Sequence, residues 1–294
     1  MYLNDLLHSK DIDPQRVLVL RHRPNEPELN RVLPWLAAEK PNLFNAYQQT
    51  QGMRVERAMQ AMAGTGYVAS FIGMEPGKAV FVGLYSIGES TPLSREEFFQ
   101  VPAYVELKPF GMRGFADEHP EGCVLWFDLT LKDFYSHWKG RLVVGWPPPE
   151  RSWWRRAHRN EIPVVAILED SAFDAEPPKW NEIEFSWEQL RVLPTRLRMK
   201  LQEWRGVYYI FDTLDGKGYV GSAYSESNLL GRWLDYAARG DGGNKLLRRR
   251  DPRNFRFTIL ELVSPTMNSD DVIQAEQSWK RRLHTRAPYG LNDN

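Results

Sequence analysis

The chain has almost no cysteine. Cys123 is the only one among 294 residues, which excludes an intramolecular disulfide and a cysteine-based zinc cluster and suits a reducing cytosol. Long apolar runs are also missing, because stretches such as residues 17–20 fall far short of the roughly 20 residues that a membrane-spanning helix needs. The N-terminus has early acidic residues and no basic segment followed by an apolar one. We therefore predict a cytoplasmic protein with no signal peptide and no membrane contact.

The chain also lacks net charge, because 38 basic residues balance 38 acidic ones. Its hydrophobic fraction of 42% and charged fraction of 26% are typical of globular proteins and exclude wholesale disorder. The charge is nevertheless uneven. Residues 204–294 hold 14 Lys and Arg against 11 Asp and Glu, and six basic residues face one acid between Lys245 and Arg256. This local excess is compatible with a nucleic-acid partner.

The length favours two domains, at about 100–200 residues per domain. A helical pattern over residues 28–63 is interrupted near Pro41, and short β-rich runs with turn signals follow from Gly66. The runs that we predict as strands are 67–72, 79–85, 104–107, 123–131, 141–146 and 164–168. The predicted fold class is α+β. An N-terminal mixed β domain with flanking helices, for which a barrel-like sheet is one option, precedes a small antiparallel sheet flanked by helices.

Residues 187–203 form a helical connector in this interpretation, so the N-terminal domain covers 1–186 and the C-terminal domain 204–294. The C-terminal domain is predicted to contain, in order, a strand at 207–212, a turn, a strand at 218–222, a helix at 227–239, a Gly-rich loop, a strand at 255–262 and a helix at 269–284. An Asp-Gly turn between two β-rich runs is a strong hairpin signal. Two tyrosines, Tyr208 and Tyr219, lie on opposing strands of this hairpin and can project into one region.

The last helix has a carboxylate on its apolar stripe. Ser269 is the predicted N-cap, and Val272, Trp279 and Leu283 mark the inward line on which Glu276 also falls. A carboxylate on a core-facing line is unfavourable unless something positive meets it. One interpretation is a Glu at the edge of the stripe that pairs with a nearby Arg. The other is a metal ligand at the rim of a cleft.

Two tripeptides carry a resemblance to a known family. Gly206-Val207-Tyr208 and Tyr219-Val220-Gly221, about ten residues apart, resemble the two signatures that name the GIY-YIG nucleases. Arg232 on the following helix, Glu276 on the later helix and Asn292 in the tail follow in the family's order. The resemblance covers residues 204–294. Where several family members carry a histidine, one turn after the arginine, this chain has Tyr236, as other members do.

The resemblance implies a GIY-YIG endonuclease that hydrolyses phosphodiester bonds with the help of a divalent cation. Glu276 would hold the ion, Mg²⁺ or another such as Mn²⁺, and Arg232 would brace the scissile phosphate. Tyr208 would act as general base, which requires nearby positive charge to lower its pKa from about 10. Tyr219 would orient the water or the phosphate, and Asn292 would fix the geometry of its neighbours. Tyr236 would be auxiliary.

A basic, glycine-rich segment follows the arginine helix. Exposed backbone amides beside positive side chains can follow a phosphate backbone, although such a run can also be an ordinary solvated face. With a nuclease domain attached, phosphate contact is the better interpretation. The predicted DNA-binding residues are Arg239, Lys245, Arg248, Arg249, Arg250 and Arg253.

A nuclease domain of about 90 residues has little surface for choosing a target, so we assign target recognition to the N-terminal domain. Seven of the eleven tryptophans lie between Trp126 and Trp187. Aromatic residues can hold a flipped base, and there is a general likeness to modified-base readers of the PUA/SRA kind. The candidate positions are residues 71–78 and the aromatic cluster Trp126, Phe127, Phe134, Tyr135 and Trp138.

The function predicted on this basis is a restriction enzyme of host defence that cuts foreign double-stranded DNA with modified bases, such as modified cytosine. One active site nicks one strand, so a homodimer is one route to double-strand cleavage. Two alternatives stay open. One is a restriction or repair-type nuclease that reads unmodified DNA, and the other is a non-catalytic nucleic-acid binder that has kept a nuclease fold.

Overall fold

The computed structural model describes residues 1–114, 122–174, 177–225, 228–239, 243–248 and 250–293. The chain forms two compact units, Met1–Ala175 and Glu176–Asn294. The predicted boundary after residue 186 therefore falls inside the second unit. The predicted connector, residues 187–203, supplies two helices to that same unit.

The first unit combines helices with seven strands. Its helices are α1 (Leu3–His8), α2 (Pro27–Glu39), α3 (Pro41–Gln49), α4 (Met53–Gln60), α5 (Arg95–Gln100) and α6 (Pro102–Leu107). Its strands are β1 (Val17–His22), β2 (Tyr67–Ile72), β3 (Lys78–Ser94), β4 (Cys123–Lys132), β5 (Leu142–Gly145), β6 (Trp154–Arg156) and β7 (Val164–Ile167). The described helices of both units include none that is long and apolar enough to cross a membrane.

The strands of the first unit form one sheet that curls into a half-barrel. Its order is β6-β1-β2-β3-β5-β7, and β4 also pairs with the long strand β3. β1 and β2 run parallel, whereas the other paired strands are antiparallel. The predicted α+β class with a mixed N-terminal sheet is confirmed.

β1 is buried on both faces. Val17 and Val19 join one apolar cluster, whereas Leu18 and Leu20 join the other. Because successive side chains of a strand point to opposite faces, a strand covered on both sides reads as a continuous apolar run. The strand predicted at 104–107 is wrong, since these residues belong to α6, where Pro102 occupies the first turn. Proline is favourable at that position of a helix.

The aromatic positions proposed for base recognition are mostly core residues. Phe71, Phe127 and Phe134 are buried, and Tyr135 stacks on Trp138 with ring centroids 4.3 Å apart. These last two rings pack against the larger apolar cluster of the sheet. The large cavity of this unit is lined by none of the predicted positions. The buried members of this set, Phe71, Phe127 and Phe134, have a packing role, and base recognition by the others stays a prediction.

A buried histidine makes the first unit sensitive to acid. His22 lies between Phe44 and Tyr47, with ring centroids 5.5 and 5.3 Å away. Burial lowers the pKa of His22 from 6.5 to about 4, because a charged imidazole is poorly solvated there. Its stabilising effect is therefore complete above pH 6.5 and is lost as the pH falls toward 4.

We expect this histidine to account for roughly 2–3 kcal/mol of the stability lost between pH 7.5 and pH 4.5. Urea unfolding of wild type and His22→Gln at the two pH values measures the difference. The exposed His158→Gln variant is the control. An identical pH-dependent loss in wild type and His22→Gln would contradict the assignment.

The second unit is a four-stranded antiparallel sheet with helices. Its strands are β8 (Glu184–Ser186), β9 (Arg205–Asp212), β10 (Gly218–Ala223) and β11 (Phe255–Val263). Its helices are α7 (Trp187–Leu190), α8 (Thr195–Glu203), α9 (Asn228–Arg239) and α10 (Ser269–Arg282). The strand order is β10-β9-β11-β8, which places β10 at an edge. The predicted hairpin (β9 and β10) and the two predicted helices of this domain (α9 and α10) are confirmed.

Two details of α10 differ from the sequence expectation. The N-cap is Asn268, whose side chain accepts a hydrogen bond from the Asp271 amide, and Ser269 is the first helical residue. Leu283 follows the last helical residue and is exposed, so it does not extend the inward stripe. Val272 is fully buried, as expected. The buried residues of the helix are Val272 near its start and Lys280 near its end.

Candidate active site

Three tyrosines form a buried cluster between the hairpin and α9. Tyr208, Tyr219 and Tyr236 lie at the corners of a triangle, with ring centroids 6.2–6.4 Å apart. The Tyr208 and Tyr236 hydroxyl oxygens are 3.1 Å apart and share a hydrogen bond. The structure thus brings both signature tyrosines and the auxiliary tyrosine together.

The signature glycines make room for this arrangement. A Cβ atom at Gly221 would overlap the Tyr208 hydroxyl group, and one at Gly206 would overlap the carbonyl oxygen of Glu261. At this point β11 has a bulge, between Ile259 and Glu261. Glycine is therefore required at both positions for close approach rather than for an unusual backbone conformation.

The protonation state of Tyr208 differs from the expectation. The side chain is completely buried, and desolvation raises its pKa well above the usual value of 10 despite the nearby Arg232. Burial also raises the pKa of Tyr236. The expected lowering of the Tyr208 pKa is therefore wrong, and both side chains are neutral phenols at pH 7 that donate and accept hydrogen bonds.

Arg232 contacts the tyrosine cluster from α9. Its guanidinium carbon is 5.8 Å from the centroid of the Tyr236 ring, one helical turn further on. Interaction with the Tyr208 phenol raises the pKa of Arg232, so this half-buried group keeps its charge. The Arg232 Nε atom is buried and has no hydrogen-bond partner among the described residues. A cationic donor with an open position is suited to a phosphate oxygen.

Glu276 is anchored by two neighbours. Its Oε1 atom is 2.8 Å from the Lys280 ammonium group, and its Oε2 atom accepts a hydrogen bond from Ser222. Lys280 is itself buried. The carboxylate on the apolar stripe therefore has the positive partner that it needs, although this partner is a lysine rather than the predicted arginine. The interpretation of Glu276 as a metal ligand stays a prediction.

The two halves of the site meet at the edge strand β10. Side chains alternate between the faces of a strand, so Tyr219 and Gly221 face α9 whereas Ser222 faces α10. Gly221 packs under the Tyr208 hydroxyl, and its neighbour Ser222 bonds to Glu276. The phenol cluster and the carboxylate therefore lie one residue apart along β10, on opposite faces.

Asn292 closes part of that edge. Its side-chain oxygen accepts a hydrogen bond from the Val220 amide at 3.0 Å, and its side-chain nitrogen donates to the Val220 carbonyl at 2.8 Å. The backbone amide of Leu291 also donates a hydrogen bond to the backbone carbonyl of Gly218. Asn292 is buried with both ends of its amide engaged. It holds the tail against the signature strand.

Replacing Asn292 with Ala is expected to lower the free energy of unfolding by about 2–4 kcal/mol, because two buried backbone groups of Val220 lose their partners. Urea denaturation measures this change. The exposed neighbour Asp293, replaced with Ala, is the matched control. Equal stability of the two variants would show that water or the backbone replaces the amide.

The donor set at Glu276 fits a magnesium-type ion but not a protein-caged metal. Among the described residues, no group of three or more His, Cys, Asp or Glu is placed to hold a metal. Mg²⁺ is ordinarily bound through one or two carboxylates, with waters and phosphate oxygens as the other ligands. Each Glu276 oxygen has one partner here and can accept a second contact. The single carboxylate therefore suffices.

Two of the predicted DNA-binding arginines have carboxylate partners within the unit. Arg250 is largely buried and pairs with Asp212 at 2.6 Å and Asp215 at 2.8 Å, which fixes the hairpin turn. Arg253 bonds to Asp251, two residues earlier. These ion pairs give Arg250 a structural role, and its contact with DNA stays a prediction.

The remaining members of that set are exposed where the structure describes them. Arg239 pairs with Asp235 on its own helix at 3.5 Å. Lys245 and Arg248 are exposed. Arg249 lies outside the described residues, as do the first three residues of the Gly-rich segment. The DNA contact of Arg239, Lys245, Arg248 and Arg253 stays a prediction.

Two residues of the site were missed in the sequence. Ser222 immediately follows the second signature, and nothing in its sequence context marks it as a partner of Glu276. Lys280 lies four residues after Glu276, and this spacing is the usual signal of an ion pair on one helical face. Its basic neighbours, Arg281 and Arg282, conceal that signal because all three read as charges at the end of a helix.

Part of the chain is similar to solved nuclease structures. The catalytic domain of the homing endonuclease I-TevI is 30% identical over 31% of this chain and 98% of that domain, with a TM-score of 0.26. A mutant of the catalytic domain of the intron endonuclease I-TevI is 26% identical over 31% of this chain and 94% of that structure, with the same TM-score. No family model and no curated protein matches the chain.

Proposed function

We propose that the second unit is a GIY-YIG-type endonuclease domain that hydrolyses phosphodiester bonds of DNA with the help of a divalent cation. The observation that carries this proposal is the adjacency of Gly221 and Ser222 on the edge strand. Gly221 lies against the Tyr208 hydroxyl, and Ser222 bonds to the Glu276 carboxylate. A phosphodiester bound across β10 would meet a cationic donor, phenols and a carboxylate together.

Arg232 would bind the scissile phosphate. Its guanidinium remains charged beside the phenols, and its buried Nε is an open donor. Hydrolysis increases the negative charge on the phosphate oxygens, and a fixed cation stabilises that charge most in the transition state. The planar guanidinium can donate two parallel hydrogen bonds, which also fixes the orientation of the phosphate.

The tyrosines would position the reacting groups as neutral phenols. Tyr208 hydrogen-bonds to Tyr236, and its hydroxyl lies beside Gly221. Tyr219 is the least buried of the three and would donate to water or phosphate. Glu276 is the residue that would hold the cation, which when bound supplies an activated water and neutralises phosphate charge.

The first unit would select the target. The chain is proposed to be a restriction enzyme of host defence that acts on double-stranded DNA with modified bases, such as modified cytosine. The support is limited to the domain arrangement: the signature residues occupy one unit, and a separate unit with a large cavity precedes it. Double-strand cleavage would then need two active sites, supplied by a homodimer.

The test compares matched duplexes, one unmodified and one carrying modified cytosines, incubated with the full chain in Mg²⁺, in Mn²⁺ and in EDTA. We expect cleavage with either metal, none in EDTA, and a preference for the modified duplex. Cleavage of both duplexes at one rate would contradict modification dependence but retain the nuclease. Binding without cleavage in either metal would contradict the nuclease assignment.

A further inference from the structure

The first unit contains a large open cavity. Its volume is about 1230 Å³, beyond the roughly 300–1,000 Å³ of ordinary small-molecule pockets. β1 ends at its floor, and its walls include the loop after β1, the start of α4 and the loop before β6. None of the residues assigned to the proposed nuclease site belongs to it.

The floor of the cavity holds two buried polar side chains with open hydrogen-bonding positions. Arg21 is 4% exposed and His22 is 3% exposed, and both line the cavity. The Arg21 Nε and the His22 Nε2 atoms have no hydrogen-bond partner among the residues that the structure describes. Buried polar atoms without partners are unfavourable and uncommon. A ligand that offers an acceptor to Arg21 and a polar group to His22 would satisfy both.

The surroundings of Arg21 favour an anion. Its Nη2 atom donates to the Glu150 carbonyl at 2.5 Å, and its Nη1 atom is 3.8 Å from the Glu150 carboxylate. Arg23 and Arg155 repel it, and burial lowers its pKa. The described lining of the cavity holds four arginines (Arg21, Arg23, Arg113 and Arg151) and three glutamates (Glu26, Glu56 and Glu150). Its balance is one positive charge, which the negative charge of a phosphate would neutralise.

The rim adds cations and an aromatic face. Arg23 and Arg151 are exposed, line the cavity and form no ion pair within the described part of the chain. Another lining residue, Arg113, pairs with Glu26 at 3.7 Å. Trp153 also lines the cavity and is 37% exposed. An exposed indole beside arginines is a surface on which a nucleobase can stack.

We propose that this cavity binds a nucleotide, with its base stacked on Trp153, a polar edge at His22 and its phosphate among Arg21, Arg23 and Arg151. A simple anion would leave the indole unused, and an apolar ligand would leave the arginine and histidine atoms unpaired.

The nucleotide has two potential sources. One is a single nucleotide turned out of a DNA duplex. This source rests on the proposed function, and it explains why the cavity is larger than one free nucleotide requires. The other is a free nucleoside monophosphate that regulates the protein. Extrusion from a duplex is easiest where the base is unpaired, because less pairing and stacking free energy is lost. This difference separates the sources.

Binding is measured in EDTA, so that no cleavage occurs, with the full chain. The probes are the four free deoxynucleoside monophosphates, a labelled duplex with one mismatched base and the same duplex fully paired. Trp153→Ala and Arg151→Ala are the test variants. The controls are Tyr2→Ala and Arg159→Ala, exposed residues of the same unit outside the cavity. Thermal unfolding verifies that each variant is folded.

We expect the test variants to weaken binding about ten-fold and the controls to leave it unchanged, since removal of one stacking partner has an effect of this size. Tighter binding of the mismatched duplex identifies an extruded nucleotide. Micromolar binding of a free nucleotide without competition from DNA identifies a free ligand. The cavity proposal is overturned if no free nucleotide binds and both duplexes bind equally, or if the test variants bind like wild type.

These outcomes are independent of the nuclease assignment. A chain that binds nucleotides in EDTA through Trp153 but does not cut DNA in Mg²⁺ retains the cavity proposal and contradicts the nuclease. If the chain binds no nucleotide in the cavity, and its Trp153→Ala and Arg151→Ala variants cut DNA at the wild-type rate, the cavity proposal is contradicted and the nuclease assignment is retained.

Discussion

Replacement of Glu276 with Gln is expected to lower the rate of DNA cleavage by about 10³-fold, which corresponds to roughly 4 kcal/mol of transition-state stabilisation. Glutamine keeps the shape of the side chain and can still accept the Ser222 hydrogen bond, but it lacks the charge that attracts a divalent cation. Single-turnover cleavage of a labelled duplex in Mg²⁺ measures the effect. DNA binding in EDTA should change less than two-fold.

The buried lysine requires a second variant. Lys280 is 3% exposed and pairs with Glu276, so the single substitution leaves a buried charge without this partner and reduces stability. The double variant Glu276→Gln/Lys280→Met removes both charges and should regain stability but not cleavage. Asp270→Asn, at an exposed position of the same helix, is the control. Full activity of the folded double variant would exclude Glu276 as the metal ligand.

Replacement of Arg232 is expected to have the second largest effect. Arg232→Ala should reduce single-turnover cleavage by about 10³-fold, because the phosphate loses a preorganised cation in a partly buried site. Arg232→Lys should still lose about 10²-fold, since an ammonium group carries the charge but not the planar pair of donors. A lysine variant with wild-type activity would show that charge alone matters at this position.

The arginine variants need a structural control as well. Arg232 packs beside the Tyr236 ring, so its removal could disturb the phenol cluster rather than the phosphate. Near-ultraviolet circular dichroism reports the tyrosine environment and should be unchanged in Arg232→Lys. Arg198→Lys, an exposed position on α8, should cut DNA like wild type. Loss of the tyrosine signal together with activity would assign Arg232 a packing role.

Much of the second unit could be predicted from local sequence. The Asp-Gly turn, the β-rich runs beside it and the apolar periodicity of α9 act over a few residues, so they specify elements without tertiary information. The signature glycines are also readable as special positions. Their reason is not local, since Gly221 makes room for the Tyr208 hydroxyl and Gly206 for the Glu261 carbonyl.

One error in the first unit shows where local pattern fails. Residues 104–107 are β-rich in composition but form a helix after Pro102. Exposure is likewise a property of the whole fold, so an aromatic residue in a sequence does not reveal whether its ring faces solvent or the interior. The residues that line the cavity come from elements far apart in the chain, including the end of β1, the start of α4 and the loop before β6.

The amino-acid sequence by itself determined the α+β class, the hairpin with its two signatures and the order of the arginine, carboxylate and amide landmarks, because these depend on short-range pattern. Only the tertiary structure decided which charges are available. It paired Arg250 with Asp212 and Asp215, it placed Lys280 on Glu276, and it buried Tyr208 so deeply that its pKa rises instead of falling. Desolvation and ion pairing depend on neighbours that are distant in the chain, and these neighbours meet only when the sheet and its helices assemble.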